Sequence, residues 1–282
     1  MYEIEHMIET QLTYFGTNTL IIKKGTTKLL IDPHFSRPGV MRMLSKIAPN
    51  QGRVADGLSA AKITNLDAVL LTHTHYDHAM DVPEIFNQVG GTMYGSPSAL
   101  NLLQGGELPP SLAHVVKMGK TYQTGNFQVV FHPSRHLAFP LPLNWLLPNR
   151  GQIAQPLIPP AWFWRYQSGE VYAIQIDRML IFGSAACISG AYHGLEIQTV
   201  VLGIGGLAIK THAYIDQLYQ HTVLASGARN VWLSHWDNFF NTGHNGITPM
   251  GFTRRTIQQI KKLGNHYGQS VSVLPYGKTI QL

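Results

Sequence analysis

His73-Thr74-His75-Tyr76-Asp77-His78 follows directly on the apolar run LDAVLLT at 66–72. A short, nearly continuous apolar run reads as a strand buried on both faces. Side chains at alternate positions of an extended segment point the same way, so His73 and His75 can grip one cation together. Asp77 and His78 lie just past the strand, where the chain must turn, within reach of a second cation. Imidazole suits zinc, iron or manganese, and a carboxylate adds negative charge to a harder site. Two such ions roughly 3.5–4 Å apart can clamp a hydrolytic transition state. A lone histidine after a strand is an ordinary polar residue, but four metal-capable groups in six positions point to a metal centre.

Composition bounds the rest. The chain has 282 residues, 44% of them hydrophobic and only 13% charged, which excludes a disordered protein and allows a sizeable core. Lysine and arginine total 21 against 15 acidic residues, a net charge of +6. The positive residues are scattered, and Lys23-Lys24, Arg254-Arg255 and Lys261-Lys262 read as solvated faces, so a nucleic-acid partner is not expected. Cys187 is the only cysteine. It permits no intrachain disulfide and no multi-thiolate zinc site, and it reads as a core residue. The stretch MYEIEHMIETQLTYF lacks a basic segment followed by an apolar one, and no run of about 18 apolar residues exists, so a cytoplasmic location is expected. Fourteen histidines are the compositional oddity, and they match the motif.

Along the chain, QLTYFGT, NTLIIKK and TKLLID read as strands, and DPHFSRPG (32–39) reads as a loop. MDVPEIFNQVG reads as a helix, TMYGS as a strand, and SPSALNLLQGG as a helix with a Ser cap and Pro97 at its first position. AHVVKM and NFQVVFHPSRH follow as strands. A Pro- and Trp-rich insert at 137–170 then interrupts the pattern, because prolines at that density prevent a long helix or a central strand. VYAIQID and RMLIFGS resume as strands around a turn at Asp177-Arg178. TVVLGIGG reads as a strand, and its glycines Gly203 to Gly206 form a tight turn, lacking the spacing of a dinucleotide loop. HAYIDQLYQHTVLAS reads as a helix, NVWLSHWDNFF as a strand entering a second His/Asp-rich loop, TPMGFTRRTIQQIKKLG as a helix, and SVSVL as the closing strand. No internal repeat or linker is evident, so residues 1–282 read as one layered α/β domain.

HTHYDH resembles the HxHxDH signature of the metallo-β-lactamase superfamily, and the order of strands and ligand loops is similar along essentially the whole chain. The resemblance implies a four-layer αβ/βα sandwich with a metal site along one edge of its two sheets. It implies His136, in VVFHPSRHLAF, as the third ligand of the first metal. His132 competes but lies inside the strand and precedes Pro133. It implies His235, in LSHWDNF, as the last ligand of the second metal, with Asp237 orienting a neighbour. The family's bridging aspartate follows a Gly, and here MLIFGSAAC puts Ser184 at that place. Serine is a poor ligand, so the second site should hold its ion more weakly or be empty. Asp32 or His34 in the DPHF loop could compensate or support the ligands from behind. A set of uncharacterised bacterial members shares LGIGG, HWDNFF and GSA in place of GD.

The expected function is a metal-dependent hydrolase with one or two Zn2+ ions, Mn2+ or Fe2+ being alternatives. Metal-activated water would attack an ester, lactone or phosphodiester, with Asp77 as ligand or general base. Similarity to the branch containing N-acylphosphatidylethanolamine phospholipase D and ascorbate-6-phosphate lactonase suggests a small-molecule or lipid-like substrate. The insert reads as a rigid lid, a hydrophobic pocket or a rim in peripheral membrane contact. Trp145, Trp162, His34 and His244 are candidate pocket residues, and Arg135, Arg150 and Arg165 candidate anion contacts. The rival expectations are a catalytically degenerate binding or sensor protein, motivated by Ser184, and an RNA- or DNA-processing nuclease as in the RNase Z branch. Sequence leaves the oligomeric state open.

Overall fold

The apolar run before the histidines forms β4 (Ala68–Leu70), with all three residues buried. It lies inside a seven-stranded sheet of the computed structural model, which describes residues 9–138, 150–241 and 247–282. β1 (Thr10–Tyr14), β2 (Leu20–Lys24) and β3 (Thr27–Ile31) form an antiparallel meander. β4, β5 (Thr92–Gly95) and β6 (Ala113–Val115) then add in parallel. The second sheet runs, in hydrogen-bonded order, β7 (Thr121–Thr124), β8 (Phe127–Pro133), β9 (Tyr172–Ile176), β10 (Met179–Phe182), β11 (Thr199–Gly203), β12 (Asn230–Ser234) and β13 (Ser270–Val273). β14 (Thr279–Gln281) returns to the first sheet and pairs antiparallel with β1.

The period of two along each strand sorts side chains into layers. Leu20, Ile22, Leu29, Ile31, Ala68 and Leu70 face Met179, Ile181 and Val201 in the core between the sheets. The intervening Ile21, Leu30 and Val69 face outward onto α1 (Gln51–Ala60), α3 (Val82–Val89) and α4 (Pro97–Gly105). On the other side Leu180, Phe182, Val200 and Leu202 pack on α5 (His212–Tyr219) and α6 (Thr253–Tyr267). Both sheets are thus buried on two faces, which is why their central strands read as continuous apolar runs. The result is a helix–sheet–sheet–helix sandwich, the α/β four-layer architecture expected.

Direction matters most for the site. β3 and β4 are parallel, as are β10, β11 and β12. β8 and β10 are each antiparallel to β9 and therefore share a direction. The loops after β3, β4, β8, β10 and β12 leave from carboxyl ends, where open α/β sheets bind ligands. Asp32, the histidine motif, His136, Ser184 and His235 lie on those five loops.

Several local expectations are corrected. SVSVL does not close the chain, because β14 follows it and crosses to the first sheet. The last helix begins at Thr253 and not at Thr248. Residues 248–250 instead hydrogen-bond to the loop after β12, Asn238 N to Thr248 O at 2.7 Å and Met250 N to Trp236 O at 3.0 Å. β7, α1 and a 3-10 turn at Val40–Leu44 lacked a strong apolar period and went unrecognised in the sequence. Cys187 is half-buried at the margin of the outer core, not inside it. None of the described helices is long and apolar enough to cross a membrane.

Asp81, at the start of α3, is fully buried. One carboxylate oxygen accepts from Ser36 N at 2.7 Å, and the other has no partner. Burial pushes its pKa up to about 6. The folded state therefore binds this proton more tightly than the unfolded state, and stability falls as pH rises from about 4 to about 6. Asp81→Asn removes the buried charge and keeps an acceptor for Ser36. Urea unfolding of metal-free protein should show Asp81→Asn more stable by about 1–3 kcal/mol at neutral pH, with no difference near pH 4. Equal stabilities at neutral pH would mean that the carboxyl is neutral or solvated there.

Candidate metal centre

Immediately past β4, Thr72 to His75 stay extended, and α2 (Tyr76–Ala79) forms a single turn. The extended part sets His73 and His75 on one side, ring centroids 4.8 Å apart, and the turn swings Asp77 and His78 to the neighbouring position. His136 arrives from the loop after β8, its ring 4.3 Å from that of His75 and 5.1 Å from that of His73. His235 arrives from the loop after β12, with Nε2 3.4 Å from Asp77 Oδ2. Two donor sets result. One ligand atom from each of His73, His75 and His136, and likewise from Asp77, His78 and His235, lie within 4.8 Å of one another. His132 stays in β8 with Nε2 on Gln175 Oε1 at 2.8 Å, away from both sets.

Asp32 is the hinge of the site from behind. It is fully buried, and it accepts from Thr72 N (2.8 Å), Thr72 Oγ1, Asn18 Nδ2 (2.7 Å) and His78 Nδ1 (2.9 Å). That last bond fixes the His78 tautomer and leaves Nε2 free toward Asp77. Asp32 and His78 also form a third donor set with His73. Asp237, two residues past His235, is fully buried and accepts from Arg37, from Tyr14 OH and from Thr17 N at 2.7 Å, which anchors that loop without a hydrogen bond to the His235 ring. His235 itself has a left-handed backbone, φ 54°, an uncommon conformation for a non-glycine residue that aims the ring inward. A side chain at Gly205 would meet the His235 ring at 2.7 Å, so glycine is what lets that ring lie against the turn.

Electrostatics prepare the imidazoles as ligands. Burial lowers the pKa of His73 and His136, and their histidine neighbours lower it further, so both rings are neutral. Burial alone would raise Asp77, but the facing His78 and His235 rings outweigh it and keep the carboxyl ionised. His78 is raised, because Asp77 and Asp32 outweigh the cost of burial. A metal ion would compete with that proton for the same acidic surroundings. Among the described residues His73 Nε2 is buried without a hydrogen-bond partner. Neutral imidazoles, an ionised carboxylate and a buried orphan nitrogen together fit a divalent cation.

The triads open into a cavity of about 430 Å³ lined by His75, Asp77, His78, His136, Ser184 and His235 on its floor. Val40, Met43, Phe163, Phe239, Phe240 and Met250 form its walls. Four expectations change here. His34 does not line the pocket; it is fully buried behind Tyr76, and burial pushes it down to about 3, so it is neutral. Trp162 stacks on Trp164 and lines an adjacent surface cleft, while Phe163 takes the pocket position. Ser184 lines the floor, but its Oγ accepts from Leu137 N at 3.0 Å and so anchors the start of the insert. Arg135, Arg150 and Arg165 are exposed and outside the cavity. Trp145 and His244 lie outside the described residues. Met43, Phe239 and Met250 were missed, since single apolar residues in loops carry no period.

The sequence profile of the beta-lactamase superfamily domain matches residues 27–154, which include the HTHYDH turn and His136. Over this stretch, which is a little under half of its length, the chain is similar to that superfamily domain. The chain is 31% identical over 125 residues to a UPF0173 metal-dependent hydrolase of Myxococcus xanthus, covering 44% of the chain and 37% of that relative. It is 25% identical over 116 residues to the exodeoxyribonuclease WalJ of Streptococcus pneumoniae, covering 40% and 39%. The first curated relatives are spanned over only 37% to 54% of their length. The fold is similar to that of the metallo hydrolase Igni18 of Ignicoccus hospitalis, with TM-score 0.57, 17% identity, and 97% and 98% of the two chains covered. That likeness carries the metallo-β-lactamase sandwich.

Proposed function

We propose that this chain is a metal-dependent hydrolase. His73, His75 and His136 hold the first cation, and Asp77, His78 and His235 hold a second one more weakly. The observation that carries this reading is the convergence of two buried donor triads beneath one open apolar cavity. Zinc is the proposed ion, and manganese or iron would suit the same donors. When bound, the cation supplies Lewis-acid polarisation of a substrate oxygen and acidifies water. The chain's own part is to hold the donors in place, to keep bulk water out with the apolar walls, and to accept a proton at Asp77. Asp32 keeps His78 oriented, and Asp237 anchors the loop that carries His235.

The reacting bond belongs to an ester, lactone or phosphodiester carrying a hydrophobic or lipid-like group, given the apolar walls. The insert supports lid and rim at once: Ile153, Leu157, Ala161 and Tyr166 pack into the core, while Ile158 and Trp164 are exposed and could touch a membrane surface. A cytoplasmic setting is proposed with this, from the composition. Two other readings have a specific basis. Ser184 at the floor, in place of a carboxylate, favours a binding protein without turnover. Similarity to an exodeoxyribonuclease favours a nucleic-acid substrate.

The test is metal content per chain after purification without added metal, with each ion located by anomalous scattering. One ion at the His73 triad or two ions across both triads is expected. None, even after zinc or manganese is supplied, would sink the hydrolase reading and leave the binding protein. Ser184→Asp should tighten the second ion about tenfold by restoring a charge between the sites. Unchanged stoichiometry and affinity would mean that position 184 does not reach the ions.

A further inference from the structure

All 21 lysines and arginines of this chain are described residues, and none lines the cavity above the two triads. Arg37, behind the second triad, pairs with Asp237 and donates to the carbonyls of Asn238 and Asn241, its Nη1 being buried without a partner and outside the cavity lining. Lys210 donates to Ala138 O at the start of the insert. The floor carries the Asp77 carboxylate and four histidine rings. No Lys or Arg among its lining residues faces an anion in the pocket, so bound cations would supply that role there.

Phosphoryl transfer places charge on several oxygens at once, and sites for it clamp that charge with Arg, Lys or metal ions. Nucleic acid adds a row of phosphates that need further cations. A polyanion in this pocket would meet Val40, Met43, Phe239, Phe240 and Met250, and an unpaired charge against such walls is costly. A neutral acyl group demands nothing of that kind. Its chain can run from the floor along these residues to the mouth, where Val40 is 60% exposed; Met41 and Leu44 lie beyond it in a neighbouring cleft that Arg42, Lys46 and Arg53 also line. The cavity volume of about 430 Å³ falls in the range of small-ligand sites.

Resting on the hydrolase reading above, we infer that the substrate is a neutral carboxylic ester or lactone with a medium-length apolar acyl chain. Phosphodiesters and nucleic acids are the disfavoured substrates. In the reaction the acyl C–O bond breaks and water oxygen forms the new bond to the acyl carbon. One water proton passes to the leaving alkoxide, giving a carboxylic acid and an alcohol, or a single hydroxy acid from a lactone. No redox partner is needed.

The experiment compares p-nitrophenyl acetate, butyrate and octanoate with bis(p-nitrophenyl) phosphate on the metal-loaded protein. Calorimetric binding of a medium-chain methyl ketone and of dibutyl phosphate runs in parallel. Each methylene buried is worth about fourfold, so octanoate should exceed acetate by about tenfold or more in kcat/KM. The phosphodiester should fall about 100-fold below octanoate, with no steep salt dependence. The ketone should bind about tenfold tighter than dibutyl phosphate. Val40→Lys, at the exposed mouth, should cut the octanoate-to-acetate ratio about tenfold.

Phosphodiester turnover equal to or above octanoate turnover would overturn the inference and leave the hydrolase reading standing. So would ester turnover with no chain-length preference. Ketone binding with no turnover of any ester would uphold the pocket's ligand class and sink the hydrolase reading. Dibutyl phosphate binding as tightly as the ketone would overturn the ligand class in either case.

Discussion

His75→Ala is expected to lose the first metal ion and to lower kcat/KM on the order of 10³-fold for any substrate the protein hydrolyses. His75 belongs to the set with His73 and His136, and these donors lie within 4.8 Å of one another. A three-ligand site cannot lose one ligand and keep its geometry, and alanine offers no substitute donor. The ring is 5% exposed at the cavity floor, so truncation opens space toward the pocket instead of a sealed void in the core. Circular dichroism should therefore remain that of a folded chain. His132→Ala is the matched control. It removes a histidine of β8 bonded only to Gln175, and less than about a threefold change is expected. Unchanged hydrolysis in His75→Ala, or equal losses in both variants, would mean that the triad is not the reactive centre.

Asp32→Ala is expected to cost about 3–5 kcal/mol of stability and to weaken the second metal ion about 10–100-fold. Four donors converge on this carboxylate: Thr72 N, Thr72 Oγ1, Asn18 Nδ2 and His78 Nδ1. The group is fully buried, so no water replaces the lost acceptor without rearrangement. An unsatisfied buried donor costs about 1–3 kcal/mol, and several are created at once. Thr72 directly precedes the ligand strand, so its displacement also moves His73. Urea unfolding of the metal-free protein measures the first effect, and competition with a chromophoric chelator the second. A stability loss under about 1 kcal/mol would mean that the donors find other partners. Normal metal affinity in a destabilised variant would separate the fold from the site.

Much of the core of the site was legible because its residues are close in sequence. His73, His75, Asp77 and His78 share one strand end, and their spacing alone states how they can point. His136 and His235 also end apolar strands, but resemblance named them and distance in the fold joined them. The alternation of Leu20, Ile21 and Ile22, or of Ala68, Val69 and Leu70, announced two-faced burial without saying which face met the other sheet. The roles of Asp32 and Asp237 were only outlined. Their hydrogen-bond partners, Asn18, Thr17 and Tyr14, lie in a loop and strand with no local mark of the site.

Local pattern failed where tertiary pairing overrode it. TPMG looks like a helix start, yet residues 248–250 bond to the loop after β12, and the helix waits until Thr253. That pairing brings Met250 to the pocket wall. His34 looked like a pocket residue because it follows β3 beside Asp32, but the chain turns it inward under Tyr76. Trp162 and Phe163 are neighbours with opposite destinations, and one residue of register decides which of them sees the cavity.

The sequence by itself determined the donor chemistry and the strand pattern of a layered α/β domain, since each follows from side-chain type and from a period read over a few residues; the four-layer sandwich was implied by resemblance. It also determined that the 21 lysines and arginines are scattered along the chain. Only the tertiary structure decided that two triads share one floor, that Arg37 is neutralised by Asp237, and that the pocket walls are apolar and free of cations. Those facts are set by which loops meet at the carboxyl edge of two sheets. That meeting depends on contacts hundreds of positions apart, which no local period encodes.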